Sequence, residues 1–233
     1  MALPVLEATR YTCELPVSKK KVEYRPFLVK EQKLLLVAGE SDDQSQISNG
    51  MLDLLGNCVF NSSEINLREI PIMDLEYLFI QVRMKSAGET VKVGLGCLKC
   101  EQPTEVEIDL RKSEMNGVMP ENTIKLTEQI GITLTYPSLK SMPEEETSTT
   151  ESIFDMIAGC IDQVYSGDEV FTRDDFNSKE LKDFLDQFTS EQFEKLNNYF
   201  MAMPKYSQTI SWTCIECGED NERELQGIAD FFA

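Results

Sequence analysis

Two Cys-x-x-Cys pairs, Cys97/Cys100 and Cys214/Cys217, constrain this chain more than any other feature. Each lies between two alternating, strand-like stretches: residues 90–95 and 104–110 around the first pair, 208–213 and 221–225 around the second. Aligned on the second cysteine, Cys100 matches Cys217, Glu105 matches Glu222, Glu107 matches Glu224 and Ile108 matches Leu225. The chain thus repeats one unit: strand, turn bearing two thiols, strand. Between Cys100 and Cys214 stand 113 residues, far more than in a compact zinc ribbon. A tight turn of this kind holds two thiolates less than about 4 Å apart, an edge of a tetrahedron around Zn²⁺ with bonds of ~2.3 Å. Its backbone N–H groups can point at the sulfurs. One knuckle supplies half a site, the other supplies the rest, and everything between them is an insertion.

The sequence has no histidine. Ser-His-Asp and Cys-His catalysis, imidazole acid–base chemistry and imidazole metal sites are therefore excluded. A metal on the two knuckles must sit in a Cys₄ set of Cys97, Cys100, Cys214 and Cys217. That set is closed, so the expected ion is structural Zn²⁺ with no open position for water. Three other readings stand beside it. A redox pair ordinarily opens a helix, whereas both pairs here lie between strands. An iron–sulfur cluster ordinarily shows other cysteine spacings. Unligated thiols are the third. The remaining cysteines, Cys13, Cys58 and Cys160, sit in apolar or strand-like surroundings and read as small hydrophobes. No phosphate loop, nucleophile elbow or EF-hand loop is present, so no catalytic residue is assigned and the chain is expected not to be an enzyme. Asp168, Glu169, Asp174 and Asp175 beside Gly167 read as a polar loop before they read as a weak cation site.

Charge narrows the partners. There are 41 acidic and 22 basic side chains in 233 residues, a net charge of −19. Phosphate backbones and anionic lipid surfaces both need the opposite balance, which argues against nucleic acid and against a membrane surface. Residues 141–233 hold 21 acids and 6 bases, so the excess lies in the second half and suits a basic protein partner. The acidic helices of residues 174–203 are the expected docking face, although Phe184, Phe188, Phe193 and Phe200 read mostly as core. Apolar clusters such as residues 34–38 are far shorter than the ~20 residues of a membrane span. The first six residues are too short for a signal peptide. A cytoplasmic setting, the chain's own or a host's, is the expectation.

The expected fold is α+β: helical clusters around small antiparallel hairpins, with the two knuckles forming one zinc-ribbon-like Cys₄ site. Residues 10–15 and 21–24 read as a hairpin. Helices are expected at 27–38, at 43–60 with Ile47, Met51, Leu54, Leu55 and Cys58 on one face, and at 74–85. Strands follow at 123–126 and 131–136, then a linker at 137–152 and a helix at 153–165. Two further helices carry start signals, Asn177 with Glu180 and Thr189 with Gln192. The expected division is 1–140, with the hairpin, first helices and first knuckle, and 141–233, with the acidic linker, later helices and second knuckle. The knuckles join both parts into one unit.

The opening Ala2-Leu3-Pro4-Val5-Leu6-Glu7, the short hairpin and the run from Lys21-Val22-Glu23-Tyr24 to Arg25-Pro26-Phe27-Leu28-Val29-Lys30-Glu31 resemble the T4-like phage baseplate hub proteins. Leu75-Glu76-Tyr77-Leu78-Phe79, Lys85-Ser86-Ala87-Gly88-Glu89 with the first knuckle, and residues 184–204 leading into the second, are similar to the same family. The resemblance covers nearly the whole chain in scattered blocks, the block around residues 24–31 being the most specific. It implies a non-enzymatic part in building the central hub of a contractile tail's baseplate, with other hub and tail proteins as partners. It places the chain in the host cytoplasm during assembly or in the virion tail. The alternative class is a zinc-stabilised adaptor or regulator of host machinery.

Overall fold

The computed structural model describes residues 8–33, 44–61, 64–142 and 149–227. The chain is α+β, with helices beside small antiparallel sheets. It divides into two compact units: Met1–Leu67, Met73–Asn116 and Lys205–Ala233 form one, Arg68–Ile72 and Gly117–Pro204 the other. Both knuckles lie in the first unit.

In the first unit, β1 (Tyr11–Glu14) and β2 (Lys21–Tyr24) pair antiparallel with Tyr11 opposite Tyr24. Their turn is held from outside. Asp74, fully buried, accepts the N–H groups of Val17 (2.7 Å) and Ser18 (2.8 Å). Helix α1 (Gln44–Cys58) buries Leu54, Leu55 and Cys58, three members of the expected face; the Ile47 side chain lies outside the described residues. Helix α2 (Ile72–Ala87) buries Met73, Leu75, Leu78, Phe79, Ile80 and Val82. The expected helix at 27–38 is helical at residues 29–33, and the rest of it lies outside the described residues.

Residues 25–31 form a polar knot with α1. Arg25 donates to Glu31 Oε1 (2.9 Å) and to the Asn57 carbonyl (2.8 Å), and Leu28 N–H donates to Glu31 Oε2 (2.8 Å). Glu31 is 1% exposed, so its charge persists only because these donors replace water. Burial alone would push its carboxyl up; Arg25, the Leu28 N–H and Lys30 outweigh that and hold it below the usual glutamate value.

Next come the two knuckle hairpins. Strand β3 (Thr90–Gly96) pairs with β4 (Pro103–Asp109), Thr90 opposite Asp109 through Gly96 opposite Pro103. A short β5 (Glu114–Asn116) follows. A second knuckle hairpin in this unit pairs two strands with Ser207 opposite Gln226 through Thr213 opposite Asp220. Lys205 also pairs with Asn116, so the chain leaves and re-enters this unit at neighbouring positions. Ile80, Val93, Leu95, Ile108, Leu110, Tyr206, Ile210, Trp212 and Leu225 make one core.

The second unit is a four-stranded antiparallel sheet with helices on it: β6 (Thr123–Lys125), β7 (Ile130–Leu134), β8 (Ile161–Ser166) and β9 (Glu169–Thr172), in that order across the sheet. Helices α3 (Thr149–Cys160), α4 (Ser178–Leu185) and α5 (Ser190–Met201) contribute Ile157, Leu181, Leu185, Leu196 and Tyr199 to its core. Both sequence-indicated starts are capping boxes. Asn177 accepts the Lys179 and Glu180 N–H groups, and Thr189 accepts the Gln192 N–H. The strands of the second knuckle hairpin, in the first unit, are β10 (Lys205–Thr213) and β11 (Asp220–Gln226).

The structure departs from two local expectations. The helix expected at 153–165 ends at Cys160, and residues 161–166 pair as β8 with β7 and β9. Thr135 N–H and hydroxyl both reach the Cys160 carbonyl, so the sheet takes over where the helix would continue. β-branched residues such as Ile161 and Val164 suit that switch. A Cβ on Gly159 would lie 2.7 Å from the Ser141 carbonyl, so this junction admits no side chain. The expected linker at 137–152 is packed at its start: Ser138 and Ser141 are buried, and Ser141 Oγ bonds both N–H and carbonyl of Ser138. Residues 143–148 lie outside the described residues. Among the described residues no helix is long and apolar enough to cross a membrane.

Candidate metal centre

A constant offset of 117 residues carries the first knuckle hairpin onto the second. The pairing register follows it, and so do the inward positions Val93 and Ile210, Leu95 and Trp212, Ile108 and Leu225, all buried. Each hairpin puts its inward face on the shared core and its turn at the end of the strands, so the two turns arrive together.

The four sulfurs of Cys97, Cys100, Cys214 and Cys217 lie within 4.8 Å of one another and can hold a metal ion. Two close approaches run between knuckles: Cys97 to Cys217 at 3.7 Å, and Cys100 to Cys214 at 3.6 Å. A tetrahedron with bonds of ~2.3 Å has edges of about 3.8 Å, so these separations match a four-thiolate cage. Among the described residues this is the one group of metal-binding side chains. The acids Asp168, Glu169, Asp174 and Asp175 are not gathered in this way; Asp175 instead caps a short turn by accepting the Thr172 N–H (2.7 Å).

The turns are built alike. Cys97 N–H donates to the Gln102 carbonyl (3.0 Å), and Cys214 N–H to the Glu219 carbonyl (2.8 Å). Glu101 N–H returns to the Cys97 carbonyl (2.9 Å), and Gly218 N–H to the Cys214 carbonyl (3.0 Å). The residue after each second cysteine is left-handed, φ 61° at Glu101 and 69° at Gly218. Glycine takes that conformation freely, glutamate at a cost.

Backbone dipoles favour thiolates. The N–H of Cys100, and after it that of Lys99, hold the Cys97 thiol down at about 6. Cys217 and Glu216 N–H groups lower Cys214 in the same way. The second cysteines go the other way. The Gln102 N–H pulls Cys100 down, but burial and the bonds to Cys217, Cys214 and Cys97 push it up to about 12. Cys217 is raised as well: the Glu219 N–H lowers it, and burial with the Cys214 and Cys97 contacts prevails. Four thiols this close cannot all ionise without a cation between them. The other cysteines differ: burial pushes Cys13, Cys58 and Cys160 up to about 11, as inert packing residues require.

Two residues that sequence reasoning passed over tie the knuckles together. Leu98 N–H donates to Asn221 Oδ1 (2.9 Å), and Ile215 N–H donates to Thr104 Oγ1 (3.4 Å). Thr104 and Asn221 are each 5% exposed and occupy equivalent places, four residues past the second cysteine of their own hairpin. Each hairpin thereby caps the other's turn. The signal was present, since polar side chains recur at this position in both copies, but only their burial shows its use. Lys99 adds an exposed ion pair to Glu219 (2.7 Å).

Away from the cage, Phe184, Phe188, Phe193 and Phe200 are half-buried against the second unit's core. Comparison with curated proteins and with solved structures finds no match. The family model described as T4 bacteriophage base plate protein matches residues 8–233, from just before the first hairpin through both knuckles, and the chain belongs to that family.

Proposed function

We propose that this base plate protein is a non-enzymatic component in assembly of the central hub of the phage tail. It binds other hub or tail proteins, and Cys97, Cys100, Cys214 and Cys217 hold one structural Zn²⁺. The observation that carries the metal is the convergence of two register-matched turns on four sulfurs. Four thiolates fill a tetrahedral zinc, leaving no site for water, so the ion's contribution is to folding rather than to chemistry. Through that ion the parts 1–140 and 141–233 act as one. Family membership supports the tail role, and the −19 charge supports protein partners rather than nucleic acid or lipid. Host cytoplasm is the place of assembly.

The test has two arms. Elemental analysis with native mass spectrometry of the purified chain should give one zinc per chain. An amber mutation in its gene, complemented by wild type but not by Cys214→Ser, should block hub assembly and leave capsids intact. A metal-free protein that folds and complements overturns the zinc reading. Normal tails without the protein overturn the assembly role.

A further inference from the structure

We propose that the two knuckle turns form a docking crest for a basic segment of another base plate protein, with Leu98 and Ile215 as its apolar anchors. The proposal rests on the assembly reading above and names a contact surface for it.

Leu98 and Ile215 are 75% and 72% exposed. A single exposed leucine means little. These two, however, occupy the same place in the repeat, directly after the first cysteine of each pair. Their neighbours at other exposed positions of the turns differ in kind: Lys99 against Glu216, and Glu101 against Gly218. Solvation would be served equally by polar residues at 98 and 215, yet both are large and aliphatic.

The crest is also rigid before anything binds. The Leu98 N–H is held by Asn221 and the Ile215 N–H by Thr104, both acceptors being buried. Anchors already fixed in place lose little freedom on docking.

Charge chooses the occupant. The turns carry Glu101, Glu216, Glu219 and Asp220 against one base, Lys99, whose ammonium is engaged by Glu219 at 2.7 Å. The rim is therefore acidic. A segment with Lys or Arg around an apolar pocket complements it, and a second copy of this chain would bring the same acids and a like net charge.

The experiment uses the full metal-loaded chain. Each base plate protein of the phage is expressed singly and its binding measured by biolayer interferometry at low and high salt. Wild type should bind at least one of them, less tightly at high salt. Leu98→Ser with Ile215→Ser should weaken that binding roughly tenfold or more, with zinc content and melting temperature unchanged. Glu101→Lys with Glu216→Lys should also weaken it and flatten its salt dependence. If wild type binds none, the assembly reading falls and the crest with it. If wild type binds and both double variants match it, the assembly reading stands and the crest is wrong. Wild-type self-association in sedimentation that the Leu98→Ser/Ile215→Ser variant abolishes makes the occupant a second copy and overturns the basic partner.

Discussion

Asn221, on the second hairpin, accepts the backbone N–H of Leu98, on the first, at 2.9 Å, across 123 positions of sequence. Its own amide donates to the Glu219 carbonyl (2.9 Å), so one buried side chain braces both turns of the cage. Asn221→Ala removes the acceptor and leaves the Leu98 N–H unpaired. It should cost about 1–3 kcal/mol and speed zinc transfer to a colorimetric chelator. Thr104→Val, which deletes the longer bond to Ile215, should show the same change with smaller size. Thermal melts and chelator kinetics on the two variants check the order.

Removing a ligand should be more severe. Cys214→Ser or prolonged chelation should lower the melting temperature by on the order of 10 °C, because the proposed zinc would bind the folded site and not the unfolded chain, so its binding free energy is folding free energy. Wild type treated with chelator and the untreated variant should melt alike. A chelator-insensitive wild type would count against the cage.

The left-handed residues give an asymmetric pair. Glu101 bears a side chain at φ 61°, where its counterpart Gly218, at φ 69°, has none. Glu101→Gly should stabilise by up to about 1 kcal/mol, and Gly218→Ala should destabilise by about the same amount. Since no atom lies within 4 Å of an added Cβ at Gly218, the loss there comes from the backbone and not from a clash. Urea titrations of both variants decide the signs.

Asp74 offers two carboxylate oxygens to two N–H groups of the β1–β2 turn. A side-chain amide in its place would present one oxygen and one NH₂, setting donor against donor. Asp74→Asn should therefore destabilise by about 2 kcal/mol, with amide exchange accelerated at Val17 and Ser18. Protection there equal to wild type would show that the turn does not depend on the carboxylate.

Acid should act through Glu31. Its folded carboxyl lies below the usual glutamate value, so its ionised form stabilises the fold above the unfolded value of about 4.3. That contribution declines as pH falls below this value and is lost as pH passes through the folded one. The stability gap between wild type and Glu31→Gln should be constant from neutral pH down to about 5, then narrow with further acid. Denaturant melts at stepped pH measure the gap; one that does not narrow would put the acid sensitivity elsewhere.

Short-range signals were legible in the sequence because their physics is short-range. Alternation at residues 90–95 and 104–110 marks strands, Asn177 and Thr189 mark helix starts, and the doubled Cys-x-x-Cys turn names the candidate ligands. A knuckle turn is made by hydrogen bonds spanning five or six residues, so its form follows from its own residues. What the tertiary structure decided involves partners far apart in the chain. Residues 161–166 leave the helix because β7 and β9 offer their backbones a ladder. Glu31 and Asp74 look like ordinary surface acids until packing removes their water and sets Arg25 or the turn N–H groups against them. The register that brings Cys97 to Cys217, and Asn221 to Leu98, is set by a core shared between hairpins more than 100 residues apart. No local pattern encodes that meeting, because its stability comes from apolar area buried only when both hairpins are present.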